Sequence, residues 1–587
     1  MMLMLRFTLP WWQAGRESTT TTVATVNTSA MPESPSAWWK DVVVYQIYPR
    51  SFLDSNGDGI GDLRGIISKL DYLHELGIDL IWLSPHFDSP NVDNGYDVRD
   101  YRAIMHEFGT MADFDELMTE LNRRGMKLII DLVVNHSSNQ HAWFVESSSS
   151  RTNPKRDFYI WRDGTPDGPP NNYPSFFSGS AWTLDPTTGQ YYLHYFAPEQ
   201  PDLNWANPEV RSEVFDLMRF WLDKGVAGFR MDVIAFISKV DGLPDLDRDE
   251  RQAPQNVWAN GPRVHEYLHE MYRDVLAPYD AMSVGEAFGV SFEQAPLFTD
   301  ARRGELSMIF HFDVVRLGRD HWRTRDWTLP QMKAAIARID EAGGEHGWNT
   351  SFLGNHDSPR TVSEFGDDHG EWRERSAKAL ATLIVTQRAT PFIYQGDELG
   401  MTNYPFERIE QYDDVEVRGL WRTLVETGRV PADVMLANLR HTSRDHARTP
   451  MQWSDAAHGG FTTGTPWLAV NPNASHINAA AQVADQRSVY HHHRRVIALR
   501  HAEPALVHGA FRDLDPLHEQ VFAYTRTLGD QRLLVAINLS REPVEFTLPS
   551  DLSVGSVLLD NDDGSTAPPG AHTLSLTGWQ ATVYRLS

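Results

Sequence analysis

Eight β-rich runs interleaved with helical stretches predict a (β/α)8 TIM barrel of the α/β class. Two breaks in that rhythm predict the rest of the architecture. Residues 137–205 are rich in Asn, Pro, Ser, Gly and aromatics without clear periodicity, as expected of a small domain inserted after the third strand. Residues beyond about 504 alternate with period two between Gly, Asn and Asp turns, as an antiparallel β domain does.

The strands are expected at 42–48, 79–83, 127–135, 228–234, 282–286, 308–315, 350–353 and 391–394. Helical spacing falls between them, at 62–76, 112–124, 208–224 and 374–387, and again at 488–500. Gly77 and Gly125 stop the first two helices. A chain of 587 residues is too long for one core. The expected division is a disordered tail at 1–37, the barrel at 38–136 and 206–503, the insert at 137–205 and a C-terminal β-sandwich at 504–587.

With 41% hydrophobic residues and 11% aromatics, the composition suits a large globular enzyme rather than a disordered chain. A formal net charge of −26 repels phosphate backbones, so nucleic acid is not an expected partner. Without cysteine there are no disulfides and no thiolate metal sites. No apolar run is long enough to span a bilayer. Met1 to Trp12 is apolar, with Arg6 its only charge, and a Ser/Thr-rich stretch follows. That segment lacks the basic start, apolar length and cleavage site of a secretory signal. A cytoplasmic monomer is expected, with Met31 a possible start and export the minority alternative.

In such a barrel the site lies at the C-terminal strand ends. Those ends carry Asp131-Leu-Val-Val-Asn135-His136, Arg230-Met-Asp232, Gly285-Glu286 and Asn355-His356-Asp357. One such end alone is a helix cap or a loop hydrogen bond, but four around one mouth are hard to obtain from capping. Within Gly228-Phe-Arg-Met-Asp-Val233, Arg230 and Asp232 are two apart, so a strand points them the same way. A guanidinium there favours an ionised carboxylate, as a nucleophile requires.

These four stretches resemble the signature regions of the α-amylase family (glycoside hydrolase family 13), in the family's order. Gln200-Pro-Asp-Leu-Asn204 resembles the additional signature of its oligo-1,6-glucosidase group. Asn94-Gly-Tyr-Asp97 and Thr390-Pro-Phe-Ile-Tyr-Gln-Gly396 match as well. The resemblance implies a retaining glycosidase and a covalent glucosyl intermediate on Asp232. Glu286 is then the acid and base, and Asp357 the third carboxylate. A retaining pair sits about 5–5.5 Å apart, with the acid's pKa raised and the nucleophile's low. By the same resemblance Tyr96 stacks on the sugar, and Asp97, His136 and His356 bind its hydroxyls. Arg360 is expected to close the site against longer chains.

Asp54-Ser-Asn56-Gly-Asp58-Gly-Ile60-Gly-Asp62 has hard oxygen ligands at alternate positions, with Ile60 offering its carbonyl. That spacing suits a structural Ca²⁺ loop, which the resemblance also implies; the competing reading is a plain turn. No organic cofactor is expected. His491-His-His493 points in several directions on a helix and reads as a solvated face.

Two patterns then diverge. Val233 after the nucleophile goes with α-1,6 linkages in this group, narrowing the leaving-group wall. Ser376-Ala-Lys-Ala-Leu-Ala-Thr and Gly400-Met-Thr-Asn-Tyr-Pro-Phe are instead similar to sucrose isomerases. Phe288 and Phe312 match their fructose clamp. Arg316-Leu-Gly-Arg-Asp320 resembles their product-directing loop, but has Gly318 where they have Asp. The expected activity is an exo-acting α-glucosidase on short saccharides, favouring α-1,6 bonds and able to transfer. The alternative is a sucrose isomerase making isomaltulose or trehalulose. A non-catalytic transporter heavy chain, which would carry a membrane helix and lack the carboxylates, is the remote third.

Overall fold

The computed structural model describes residues 37–562 and 566–587. The tail expected at 1–37 lies outside these, apart from Ala37. Eight parallel strands form a nearly closed barrel: β1 Val44–Ile47, β2 Leu80–Leu83, β3 Lys127–Leu132, β4 Gly228–Met231, β5 Met282–Glu286, β6 Met308–Phe310, β7 Thr350–Ser351 and β8 Thr390–Tyr394. Their order is β6-β5-β4-β3-β2-β1-β8-β7. Across the seam between β6 and β7, Thr350 Oγ1 donates to the Ile309 carbonyl at 3.0 Å.

The period of two explains how one set of strands builds both core and site. Val44, Leu80, Trp82, Ile129, Met282, Val284, Met308, Phe310 and Phe392 belong to one apolar cluster, filling the inside. Their neighbours in sequence, among them Tyr45, Ile81, Leu128, Ile130, Phe229, Met231 and Ile309, belong to the cluster under the helices. Continuing the inward set toward the C-terminal ends brings in Gln46, Asp131, Arg230 and Glu286. Each strand is therefore apolar below and polar at the top.

Several strands end earlier than the sequence predicts. β4 stops at Met231 because Val233 turns left-handed, with φ 34° and ψ 38°. β3 stops at Leu132 and β6 at Phe310. The helix expected at 62–76 is two, Leu63–Ser68 and Leu70–Leu76, broken at Lys69 (φ −112°, ψ 7°). Met111–Arg123 starts on a Thr110/Asp113 capping box, and Pro208–Asp223 on Asn207 with Pro208 in the first turn.

After β3 comes a small antiparallel sheet of Trp161–Arg162, Gln190–Leu193 and Trp182–Asp185. The C-terminal region holds a five-stranded antiparallel sheet: Ala510–Asp513, Val521–Leu528, Gln531–Asn538, Ala581–Leu586 and Val554–Asp560, in that order. A ribbon of Val544–Thr547 and Thr573–Leu576 packs on it through Phe546, Leu574 and Leu576. Tyr524 and Arg526 tie this sheet to the barrel, through Thr386 Oγ1 (2.5 Å) and the Thr386 carbonyl (2.6 Å).

The expectation for His491-His-His493 is corrected: all three are buried. Helix Val489–Ala502 is covered by Trp372–Val385, and His492 Nε2 lies 2.8 Å from Thr382 Oγ1. Burial lowers His493 to about 4 and His492 further, so both are neutral packing groups. Among the described residues no helix is long and apolar enough to cross a membrane.

Gly228 marks where β4 and β5 come closest. Its φ is +153°, and an added Cβ would lie 2.0 Å from the Met282 carbonyl oxygen. Gly228→Ala is expected to lower stability by at least about 2 kcal/mol, read as a reduced urea midpoint. An unchanged midpoint would show that the two strands have room to separate.

Candidate active site

One buried guanidinium organises the mouth of the barrel. Arg230, at the top of β4, donates from Nη1 to Asp131 Oδ1 (2.7 Å) and Asp232 Oδ1 (2.9 Å). Its Nη2 donates to Glu286 Oε2 at 2.7 Å. Adjacent strands β3, β4 and β5 thus converge on one cation, and Asp232 and Glu286 lie within its span. The left-handed turn at Val233 aims that residue's amide at the same Glu286 oxygen, 3.1 Å away. A β-branched residue in this conformation is strained by about 1–3 kcal/mol, which the surrounding packing holds in place.

The electrostatics correct one expectation. Arg230 does not by itself keep Asp232 in the ordinary carboxylate range. Burial pushes Asp232 well up, Arg230 opposes this, and Glu286, Asp131 and Asp357 add to it. Burial likewise raises Asp131 to about 6 against the pull of Arg230. Asp357 goes the other way. Burial pushes it up, but His356, Arg444 and Arg448 outweigh that and hold it well below the usual carboxylate range. Arg444 Nη1 and Arg448 Nη2 donate to its Oδ1 at 3.0 and 2.8 Å.

A polar floor joins the two groups. Gln46 Nε2 donates to His356 Nδ1 at 2.7 Å. The His356 Nε2 proton then faces Tyr96 Oη (2.6 Å) and Asp357 Oδ2 (3.1 Å). Tyr96 Oη donates on to Asp131 Oδ2 at 3.2 Å. Burial lowers His356 and His136 to about 3, so both are neutral. Tyr96, His136, Asp232, Val233, Glu286, Phe288, Phe312, Arg316 and Asp357 all line one cavity of about 160 Å³.

The outer part of that cavity is aromatic and cationic. Phe288 and Phe312 meet edge to face, with centroids 5.6 Å apart. The Arg316 guanidinium lies 4.1 Å over Phe288 and 5.6 Å from Phe312. Phe176, Phe177 and Phe196 continue the wall.

Four expected residues do not line the cavity: Arg230 and His356 are buried against the carboxylates that do, and Arg360 and Asp97 are turned to other partners. Arg360 is buried, donating to the carbonyls of Gln395 (2.7 Å), His446 (3.0 Å) and Thr449 (3.1 Å). It braces the loops behind the site and closes nothing. Asp97 is also fully buried; it accepts from Ser89 Oγ (3.0 Å), Asp93 N (3.0 Å) and Val92 N (3.1 Å). It shapes the loop, and Asp93 faces the cavity instead.

Arg319, from the Arg316–Asp320 motif, also lines the cavity, as do His321, Glu416 and Arg444, which were not singled out from the sequence. The latter two come from the irregular excursion after Gly400. The available signal was Arg444-Asp-His-Ala-Arg448, two arginines four apart within a short charged run.

The 54–62 loop turns its side chains on its own amides. Asp54 accepts from the amides of Asn56 (2.9 Å), Gly57 (2.7 Å) and Gly59 (2.8 Å). Asn56 accepts from Asp58 N (2.9 Å), Asp58 from Ile60 N (2.8 Å) and Asp62 from Gly65 N (2.7 Å). Among the described residues no group of three or more His, Asp or Glu is gathered as a metal ion requires.

A parallel barrel whose mouth sets paired carboxylates over one arginine, beside a sugar-sized cavity, defines a glycoside-processing site. The alpha amylase catalytic domain model matches residues 46–509, and the SusG-type α-amylase C-terminal domain model matches 521–583. The chain belongs to the α-amylase family. The oligo-1,6-glucosidase of Halalkalibacterium halodurans is 51% identical, over 93% of this chain and 98% of its own. That of Bacillus cereus is 48% identical, over 94% and 99%. A mutant of the isomaltulose synthase of Erwinia rhapontici NX5, solved in complex with its natural substrate sucrose, is 54% identical with a TM-score of 0.93, over 95% of this chain and 100% of its own.

If Arg360 is a brace, Arg360→Ala should remove about 3 kcal/mol of stability by orphaning buried carbonyls. Selectivity between two- and three-unit substrates should not move. A change in selectivity without loss of thermal stability would restore the closing role.

Proposed function

We propose that this protein is a retaining, exo-acting α-glucosidase. It removes terminal α-1,6-linked glucosyl units from short saccharides and transfers some of them to other sugars. The observation that carries the reading is the single Arg230 guanidinium holding Asp232 and Glu286 side by side in the lining of one small cavity. Two carboxyls that close fit a retaining pair.

Asp232 is the nucleophile: its oxygen bonds to the anomeric carbon as the glycosidic bond breaks. Glu286 gives its proton to the departing oxygen, then takes one from the water that releases glucose. The chemistry needs Asp232 ionised; the Arg230 Nη1 bond pulls it that way, against the burial and neighbouring carboxyls that raise it. Asp357, held ionised by two arginines, and the neutral His136 and His356 suit binding of glucosyl hydroxyls, with Tyr96 beside them. The small cavity supports release of single end units. The oligo-1,6-glucosidase relatives support the linkage, and Val233 narrows the leaving-group wall accordingly.

A second reading, sucrose isomerase, is favoured by Phe288, Phe312 and Arg316 standing as one clamp, and by the likeness to isomaltulose synthase. Both readings share the glucosyl-enzyme and differ in whether water or retained fructose attacks it. The test is product chromatography after separate incubation with isomaltose and sucrose. Glucose from isomaltose, with no sucrose isomer formed, is the expected outcome. Isomaltulose or trehalulose as the main sucrose product would overturn it.

The reading places the enzyme in the cytoplasm as a monomer, with small saccharides as its partners. Asp54, Asn56, Asp58, Ile60 and Asp62 offer hard oxygens of the kind Ca²⁺ takes, and an ion there would have to draw the side chains off the amides they now accept from. Saturating Ca²⁺ over chelator should then raise the melting temperature by several degrees, since a ligand at about 100 Kd adds about 2.7 kcal/mol. Identical melting curves would leave the loop held by its own amides.

A further inference from the structure

With Arg360 turned away, the outer rim of the cavity needs another account. His321 sits at the tip of the hairpin formed by Arg319–Asp320 and Arg323–Thr324, with its backbone left-handed at φ 55°. Its Nε2 lies 2.9 Å from Glu416 Oε1. Glu416 belongs to helix Val415–Leu420, a separate element far along the chain. The two side chains are 49% and 26% exposed, so they form the rim rather than the floor. Glu416 Oε2 in turn lies 3.4 Å from Arg444 Nε, and Arg444 holds Asp357. A charged chain thus runs from the hairpin tip to the carboxylate group that faces the glucosyl unit.

His321 and Glu416 line the same cavity as Phe288, Phe312 and Arg316. The partly exposed pair bridges hairpin and helix in that lining, where a saccharide seated at Asp232 would extend. We propose that His321 and Glu416 form a latch across this mouth that sets substrate length, admitting a disaccharide and refusing longer chains while the pair is closed. The inference rests on the α-1,6-glucosidase reading.

The latch is pH-dependent by its chemistry. Glu416 on the facing helix favours the imidazolium, Asp320 on the hairpin adds to it, Arg316 opposes it, and Arg444 stands behind Glu416. Burial lowers the affinity of His321 for its proton, but the bond to Glu416 outweighs burial, so the group is raised above an ordinary histidine. The pair is therefore fully charged below about pH 6.5 and is lost as pH rises through the raised value. Selectivity for short substrates should be greatest on the acid side and relax toward alkaline pH.

The test is kcat/KM for isomaltose and for isomaltotriose between about pH 5.5 and 8.5, in wild type, His321→Ala, His321→Lys and Glu416→Gln. The triose-to-biose ratio in the wild type should rise with pH. His321→Ala and Glu416→Gln should raise it roughly tenfold at low pH and flatten its pH dependence. His321→Lys keeps a cation throughout, so its ratio should stay low and flat. A wild-type ratio independent of pH, an unchanged ratio in both Ala and Gln variants, or a Lys variant that behaves like Ala would overturn the latch. Should His321→Ala fail to fold, Glu416→Gln carries the same comparison. Failure of every form to release glucose from isomaltose would sink the α-1,6 reading itself, and is distinguishable from an active enzyme with an unmoved ratio.

Discussion

Everything at the mouth of this barrel depends on the Arg230 guanidinium being buried. A cation removed from water is stable only if carboxylates surround it, and here Asp131, Asp232 and Glu286 do. The converse also holds, since three carboxyls this close could not share a dry site without it. Because the partners come from β3, β4 and β5, the ion cluster also fixes how those strand ends sit together. The placement of the carboxylates and the packing of these strand ends are therefore one constraint.

The second consequence concerns charge. Burial raises Asp131 and Asp232, while Asp357, a few ångströms further on, is held ionised by Arg444 and Arg448. Carboxyls in one cavity are thereby driven apart in proton affinity by their own neighbours rather than by their residue type. Burial around Arg230 favours the protonated form of Asp131 and Asp232. The group around Asp357 keeps a fixed negative charge where a sugar's hydroxyls would donate.

Legibility in the sequence followed the physics of each feature. The eight strands and the carboxylates on their ends were readable because strand alternation and short polar motifs are local. The same locality gave Arg230 beside Asp232, and Phe288 with Phe312. What was missed is long-range. Arg444, Glu416 and His321 come from irregular segments whose spatial position no periodicity encodes. Asp97 and Arg360 sit in the right stretches, but Asp97 is taken up by its own loop and Arg360 by the carbonyls of Gln395, His446 and Thr449, far along the chain. The R-x-D pattern shows the Arg230–Asp232 pair but hides the burial and the three further carboxyls, Glu286, Asp131 and Asp357, that raise Asp232. His491 to His493 read as solvated since nothing local announces the helix Trp372–Val385 that covers them.

Gly318 shows how such long-range compensation bears on the division between hydrolysis and isomerisation. Read alone, it is a lost acid in a loop that resembles the isomerases' Arg-Leu-Asp-Arg-Asp. In space it is not a gap, because a Cβ there would lie 2.2 Å from Glu364 Oε1. Glu364, from helix Thr361–Phe365, brings its carboxylate into that volume and acts on Arg319 across it. A carboxylate thus stands beside Arg319, supplied by that helix. The hairpin that follows is free to be short and to carry His321 to the rim. An acid lost from the chain's local pattern is therefore weak evidence against isomerase chemistry, whereas the narrow Val233 wall and the mouth that admits or excludes water bear on it directly.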